Sequence, residues 1–282
     1  MGEDRIHRAV SDDGTEIVGR AHGQGPPLVL VPAGPGDSET TWHFLLPLLG
    51  QQFTCYAMDT RGRGLSGDHP DHSPARLAAD IAAFAESIGE PVGLVSAGNV
   101  EWSLLAAQGT SAVAAVAAWE PLFETLRDDE GAAVLEDVFA RVGALAEQGS
   151  LEEAARVWVE GLAAAGLYTT PEDTTDGAAP AFWRASVANI PLFLHQVQLE
   201  IDSEGPDPAD PSVLAQINVP TLLLHGSRTH PAHVDFVRHA AAHLPDAQVR
   251  EVAGAGHFGI YTEAEAVADE LARFFAERRT HV

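Results

Sequence analysis

The sequence predicts an α/β protein in which a mostly parallel β-sheet is flanked by helices. Short apolar runs rich in β-branched residues alternate with longer runs that carry apolar residues at helical spacing. Several of the short runs are apolar throughout, which is typical of strands buried on both faces. With 282 residues and 45% hydrophobic content, the chain can bury a core as one large domain or as a domain with an insertion.

Strand segments are predicted at eight places along the chain. The first two flank an Asp13-Gly14 turn and are predicted to pair as a hairpin. Most of the others are separated by helical segments, which favours parallel pairing. In order, the eight segments read IHRAVS, TEIVGRA, PLVLVP, FTCYAMD, PVGLVS, VAAVAAWE, PTLLLHG and AQVREVA.

Helical segments follow most of these strands. They read TWHFLLPLLG, ARLAADIAAFAESIG, VEWSLLAAQG, HVDFVRHAAAHL and AEAVADELARFFAERR. After Glu120 the strand rhythm stops, and helical segments such as AAVLEDVFARVGALAEQG and LEEAARVWVEGLAAAG take over, up to the Pro/Asp-rich stretch SEGPDPADPS. We therefore expect a core formed by residues 1–120 and 216–282, with residues 121–215 as an inserted helical cap.

Composition restricts the classes of partner and chemistry. The formal net charge of −25 disfavours nucleic acid and anionic lipid as partners, and the absence of lysine from the sequence excludes a lysine Schiff base. No apolar run approaches the roughly 18 residues of a membrane span, and the start does not resemble a secretory signal, so we expect a cytoplasmic protein. Cys55 is the single cysteine and is expected in the core. We expect no metal and no organic cofactor.

Four motifs resemble those of the α/β-hydrolase superfamily, and they extend across nearly the whole chain. VPAGPG resembles the oxyanion loop of that family, and MDTRGRGLSG resembles the stretch after its fourth strand. INVPTLLLHGS resembles the approach to its acid-bearing strand, and GAGHFG resembles the loop of its catalytic histidine. The resemblance implies an α/β-hydrolase fold, with Ala33, Gly34 and Pro35 in the oxyanion loop and His257 as catalytic base.

The catalytic acid departs from the family pattern. The position three residues after Gly226, which carries the acid in the family, is Thr229 in this sequence, and threonine cannot carry a charge. Glu120 follows the sixth predicted strand and can supply a carboxylate to His257 instead. The alternative for Glu120 is a hinge or a charge at a helix N-terminus.

The nucleophile also departs from the family pattern, and two alignments of PVGLVSAGNVEW are open. The ungapped alignment places Ser96 on the first glycine of G-x-S-x-G and Gly98 on the serine, so that no nucleophile is present. A strand shorter by two residues makes Ser96 the nucleophile, followed by Ala97, Gly98 and Asn99. We favour the first alignment, because Leu94 is bulky where the second one needs glycine. Ser96 and Asn99 then line the pocket or cap a helix.

Other side chains are assigned by analogy with pockets of this kind. Thr229 and the cap aromatics Trp183 and Phe193 are expected to contribute to a substrate pocket between cap and sheet. The histidines of HGSRTHPAH, at positions 225, 230 and 233, match no zinc-ligand spacing and are expected to be solvated loop residues.

Three functions remain open from the sequence, and we favour the first of them. The first is a non-hydrolytic isomerase or epimerase acting on a small molecule or a modified peptide, similar to the atypical members of the superfamily that include the peptide epimerase of bottromycin biosynthesis. The second is a serine esterase or lactonase with Ser96, His257 and Glu120 as its triad and with Ala33 and Ala97 as oxyanion donors. The third is a ligand-binding protein without turnover.

Overall fold

The computed structural model describes residues 5–32, 34–98, 100–122, 129–164, 180–203 and 205–279. Eight strands form one sheet, at the positions that the sequence predicts. They are β1 (Arg5–Val10), β2 (Glu16–Gly23), β3 (Pro27–Val31), β4 (Thr54–Met58), β5 (Val92–Ala97), β6 (Val113–Trp119), β7 (Thr221–Gly226) and β8 (Ala247–Val252).

The order of strands across the sheet is β1-β2-β4-β3-β5-β6-β7-β8. β1 pairs with β2 and β2 pairs with β4 in antiparallel fashion, whereas all pairs from β4 to β8 are parallel. The predicted eight-stranded, mostly parallel sheet is thus confirmed. Because the last four strands run in one direction, their carboxyl ends lie along one edge, where ligand sites of open α/β sheets form.

Eleven helices are described. They are α1 (Ser38–Thr41), α2 (Leu46–Leu49), α3 (Pro74–Ser87), α4 (Val100–Gly109), α5 (Asp129–Glu147), α6 (Leu151–Ala164), α7 (Pro180–Ile201), α8 (Pro211–Leu214), α9 (Pro231–His243), α10 (Gly259–Thr262) and α11 (Ala264–Arg279). Of the helix predicted for TWHFLLPLLG, residues 41–50, the structure has α2, whereas α1 lies before this segment and shares Thr41 with it. Pro47 lies in the first turn of α2, where its missing N–H is tolerated, and the chain between the two helices is non-helical.

The sheet separates two hydrophobic clusters. Leu28 and Leu30 of β3 face one cluster, and Val29 and Val31 face the other, as the alternation of side chains along a strand requires. Cys55 is fully buried in the first cluster, as predicted, and burial raises the pKa of its thiol to about 12. Cys55 is therefore a core residue and not a reactive thiol.

Helices α5, α6 and α7 lie between β6 and β7 in the chain and pack against one another. A Cβ at Gly161 would lie 2.3 Å from a methyl of Val138, so glycine permits the close approach of α5 and α6. Helix α7 also reaches the core, where the Asn189 side chain donates to the Pro35 carbonyl oxygen at 2.9 Å. None of the described helices is long and apolar enough to cross a membrane.

Candidate active site

The carboxyl ends of β5, β6, β7 and β8 bring the candidate site residues together. Ala97 pairs with Trp119 at the ends of β5 and β6, and Gly226 pairs with Val252 at the ends of β7 and β8. The next residues along each chain segment therefore enter the same edge of the sheet. These segments contain Gly98, Glu120, Thr229 and His257.

Gly98 occupies the sharp turn between β5 and α4. Its φ is 72°, a conformation that side chains rarely adopt, and its N–H donates to the Trp119 carbonyl oxygen at 3.2 Å. Ser96 lies two residues earlier within β5, in register with Val31 and Ala118, and is fully buried. In the ungapped alignment, the glycine at this turn stands where the family has its serine, and that alignment stays a prediction. The burial of Ser96 within the sheet argues against attack by its hydroxyl on a bound substrate.

Glu120 anchors the site with a fully buried carboxylate. Its Oε1 accepts from the Gly226 N–H at 2.9 Å. Its Oε2 accepts from the Thr229 hydroxyl at 3.0 Å and lies 2.7 Å from Nδ1 of His257. The carboxylate thus comes from the end of β6, and Thr229, at the family's acid position, donates a hydrogen bond to it.

The surroundings of Glu120 keep it ionised. Burial alone would raise the pKa of this carboxyl, but the hydrogen bond from His257, the neighbouring His233 and the Gly226 N–H outweigh burial and lower it to about 2. Glu120 is also the non-glycine residue with positive φ, 45°, in the described part of the chain. Strain of this kind persists where the surrounding contacts hold it, as the three hydrogen bonds to the carboxylate do here.

The loop after β8 holds His257 against Glu120. The indole N–H of Trp119 donates to the His257 carbonyl oxygen at 2.9 Å, and a Cβ at Gly259 would lie 2.6 Å from the Trp119 ring. Since Nδ1 of His257 contacts Glu120, Nε2 lies on the opposite side of the ring. The side chain is 18% exposed, so a ligand can reach it.

His233 is a member of this cluster that the sequence analysis assigned wrongly. Both His225 and His233 are buried, and His233 is fully buried, so neither is a solvated loop residue. The His233 ring stacks on that of His257 with centroids 4.6 Å apart and planes 15° from parallel. Its Nδ1 lies 3.9 Å from Glu120 Oε2. Its position just after Pro231, which begins α9 beside the sheet edge, is the signal that could have placed it here.

Glu120, His233 and His257 also form the described group whose ligand atoms lie close enough for a metal ion, all within 4.8 Å of one another. The carboxylate of this group is already engaged: Glu120 Oε2 accepts from the Thr229 hydroxyl at 3.0 Å and lies 2.7 Å from His257 Nδ1. The arrangement fits a hydrogen-bonded acid–base cluster better than a metal centre.

Arg63 and helix α7 hold the predicted oxyanion loop. Arg63 donates to the carbonyl oxygens of Gly34 and Gly36 and to the side-chain oxygen of Gln196 on α7. Gly34 has a φ of 33°, and the Pro35 carbonyl oxygen accepts from Asn189 on α7. The other two predicted members of the oxyanion and turn region, Ala33 and Asn99, lie outside the described residues.

The remaining predicted pocket residues lie in the sheet and in helix α7. Ala97 ends β5 and is 1% exposed. Phe193 on α7 packs edge-on against Trp158, with centroids 4.9 Å apart, and Trp183 is half-buried against the same hydrophobic cluster. Their contribution to a substrate pocket stays a prediction.

Comparison with known proteins identifies the family. Residues 28–270 match the model of the alpha/beta hydrolase family, so the chain belongs to that family. An alpha/beta hydrolase from Sphaerobacter thermophilus has the same fold, with a TM-score of 0.76 and 25% identity over 95% of this chain and 100% of that one. The predicted fold class and superfamily are confirmed.

Two curated relatives match a shorter stretch. An N-formylmaleamate deformylase from Pseudomonas putida is 44% identical over 72 residues, which are 25% of this chain and 26% of the relative. A pyrrolizixenacetamide deacetylase from Xenorhabdus hominickii is 39% identical over 66 residues, 23% of this chain and 25% of the relative. The matches thus span about a quarter of each relative. They support a hydrolase-type function, whereas the resemblance to a peptide epimerase stays a prediction.

Proposed function

We propose that this protein is a hydrolase in which His257, paired with Glu120, activates a water molecule for direct attack on the carbonyl carbon of an ester or amide. The observation that carries the proposal is Gly98, with φ 72°, at the turn where the family has its serine, beside an intact Glu120–His257 pair 2.7 Å apart. Glycine leaves the space of a serine side chain to water, and the base that would activate the serine can activate the water.

Each step of this reaction has a residue to perform it. His257 Nε2 takes a proton from water as the water oxygen bonds to the carbonyl carbon. The ionised Glu120 stabilises the imidazolium that results, in the way the acid of a triad does. When the bond to the leaving group breaks, His257 returns the proton to the leaving oxygen or nitrogen. The products are an acid and an alcohol or amine, and no covalent intermediate with the protein forms.

Support for an amide or ester substrate comes from the relatives. The two that match part of this chain are named for the removal of formyl and acetyl groups. Both names describe the removal of a small acyl group, and this chain belongs to the alpha/beta hydrolase family. A short acyl ester or anilide is therefore a reasonable first probe.

The test is steady-state and pre-steady-state hydrolysis of p-nitrophenyl acetate, with formanilide and acetanilide as amide probes. We expect turnover without an initial burst of p-nitrophenol, because no acyl-enzyme accumulates. We expect His257→Gln to lose roughly 10²-fold or more of the rate, the contribution typical of a general base. A burst, or full activity in His257→Gln, would contradict the proposal.

The second candidate is isomerisation of a carbon acid, and the same glycine favours it, since proton removal from carbon requires no nucleophile at the turn. His257 would take a proton from the carbon next to a carbonyl and pass it to solvent, and a water molecule would protonate the planar intermediate on its opposite face. Incubation of the protein with a mixed panel of carbonyl compounds in heavy water distinguishes isomerisation from hydrolysis. Isomerisation incorporates deuterium at carbon, whereas hydrolysis adds the mass of one water. A protein that binds panel compounds but does neither is a ligand-binding protein.

A further inference from the structure

We propose that His233 is a positioning residue for His257. It extends the Glu120–His257 pair of the proposed mechanism to a three-residue cluster, in which one of the two imidazoles is protonated at a time. His233 enters the site from α9, whereas Glu120 comes from β6 and His257 from the loop after β8. The inference rests on the proposed function for its consequence in catalysis. Its geometry and its test do not require turnover.

The two imidazoles share the carboxylate of Glu120. Glu120 Oε2 lies 2.7 Å from Nδ1 of His257 and 3.9 Å from Nδ1 of His233. One carboxylate balances one imidazolium. With ring centroids 4.6 Å apart, two imidazolium rings would repel each other in a site where water is largely excluded. Protonation of one ring therefore disfavours protonation of the other.

Stacking also has a positional effect on His257. Rings 15° from parallel restrict rotation of the His257 imidazole about its own bond, while Glu120 fixes its Nδ1 side. Nε2 is thus directed away from Glu120 before a substrate arrives. A base that is already oriented loses less entropy when the reaction geometry forms.

Other ionisable groups on the elements around α9 make separate contacts. His225 in β7 contacts the Gly226 carbonyl oxygen, and Arg250 in β8 pairs with Glu270 and Glu277 of α11.

On α9 itself, the ionisable side chains also have their own partners. His230 caps the helix through the Ala232 N–H, Asp235 pairs with Arg238, and His239 contacts the Ala209 carbonyl oxygen. Before α8, Asp210 caps that short helix through the Ser212 N–H. The coupling is assigned to Glu120, His233 and His257 on the basis of their contacts with one another.

The experiment is a pH titration by nuclear magnetic resonance of the protein labelled with ¹³C-histidine, in which the His257 signal is assigned with His257→Gln. In the wild type we expect a His257 curve in two steps, or one clearly broader than a one-proton curve. His233→Phe keeps an aromatic ring in the stack but cannot take a proton, and we expect it to give a single one-proton curve. His233→Gln serves the same purpose if the phenylalanine variant does not fold.

The control is His230→Asn, which removes a histidine from the start of the same helix and keeps a good capping side chain. It is expected to retain the two-step curve. A one-proton curve in the wild type that is unchanged in His233→Phe would overturn the proposal. Because the signal is read without substrate, failure of this experiment is distinct from failure of the hydrolysis assay, which is read by product.

Discussion

Glu120 combines a strained backbone with a buried charge that three donors satisfy. Its φ of 45° is unusual for a residue with a side chain, and its carboxylate accepts from Gly226, Thr229 and His257. The cost of strain and burial is offset only while these donors stay in place. The site is therefore sensitive to the protonation of this single residue.

Acid stability follows from the lowered pKa of Glu120. The folded value of about 2 lies below the ordinary value of 4.5, so the ionised group stabilises the fold above pH 4.5. This stabilisation is lost as the pH falls from 4.5 towards 2. We expect Glu120→Gln to show a shallower fall of the unfolding free energy over this range, measured by denaturant unfolding at several pH values. The exposed Glu251→Gln is the control, and equal slopes in wild type and Glu120→Gln would contradict the assignment.

The local sequence around each site residue explains which of them could be predicted from the sequence alone. His257 was found because GAGHFG matches a family motif, and Glu120 because a carboxylate follows a buried strand at a sheet edge. His233 was missed, because HGSRTHPAH has the polar composition of a loop, and burial at the start of a helix depends on tertiary packing.

At the scale of elements, the segment that follows β4 is fixed to α3 by a buried ion pair. Arg61 is fully buried and donates twice to Asp80, at 2.7 Å each. It also contacts Asp13, 2.9 Å away in the β1–β2 turn. Burial alone would lower the pKa of Arg61, but the two carboxylates raise it above its usual range. Arg63 in the same segment donates to the Gly36 carbonyl oxygen of the predicted oxyanion loop. The Arg61–Asp80 pair therefore acts on the site indirectly, through this segment.

Removal of one partner of the Arg61–Asp80 pair is expected to lower the free energy of unfolding strongly. Asp80→Asn leaves a buried guanidinium with less counter-charge, and the loss of unfolding free energy should be about 3–5 kcal/mol. Urea unfolding monitored by circular dichroism measures it. The matched control is Asp235→Asn, which breaks the exposed pair with Arg238 and should cost no more than about 1 kcal/mol. Similar losses in the two variants would contradict the role of burial.

The elements themselves were largely predictable, for a physical reason. Continuous apolar runs such as PLVLV and TLLLHG are buried on both faces of the sheet, and this burial leaves a strong sequence pattern. The segment 41–50 was less predictable. Its apolar spacing fits one helix, but Pro47 permits helix only from its own first turn onward.

At the scale of the whole molecule, the net charge of −25 is a source of self-repulsion. Salt screens exposed charges, since the Debye length falls from about 30 Å at 0.01 M to about 3 Å at 1 M. We therefore expect the melting temperature to rise between these salt concentrations, measured by calorimetry in sodium chloride. A melting temperature that falls or does not change would mean that local ion pairs outweigh the net charge.

The most direct test of the central claim is reaction with a serine-directed fluorophosphonate, read by intact mass. We predict no adduct on the wild type, because Gly98 occupies the turn and Ser96 is buried. Gly98→Ser restores a hydroxyl next to the Glu120–His257 pair and is predicted to gain one adduct per chain, which His257→Gln in the same background removes. An adduct on the wild type that disappears in Ser96→Ala would contradict the account and establish a serine hydrolase with Ser96 as its nucleophile.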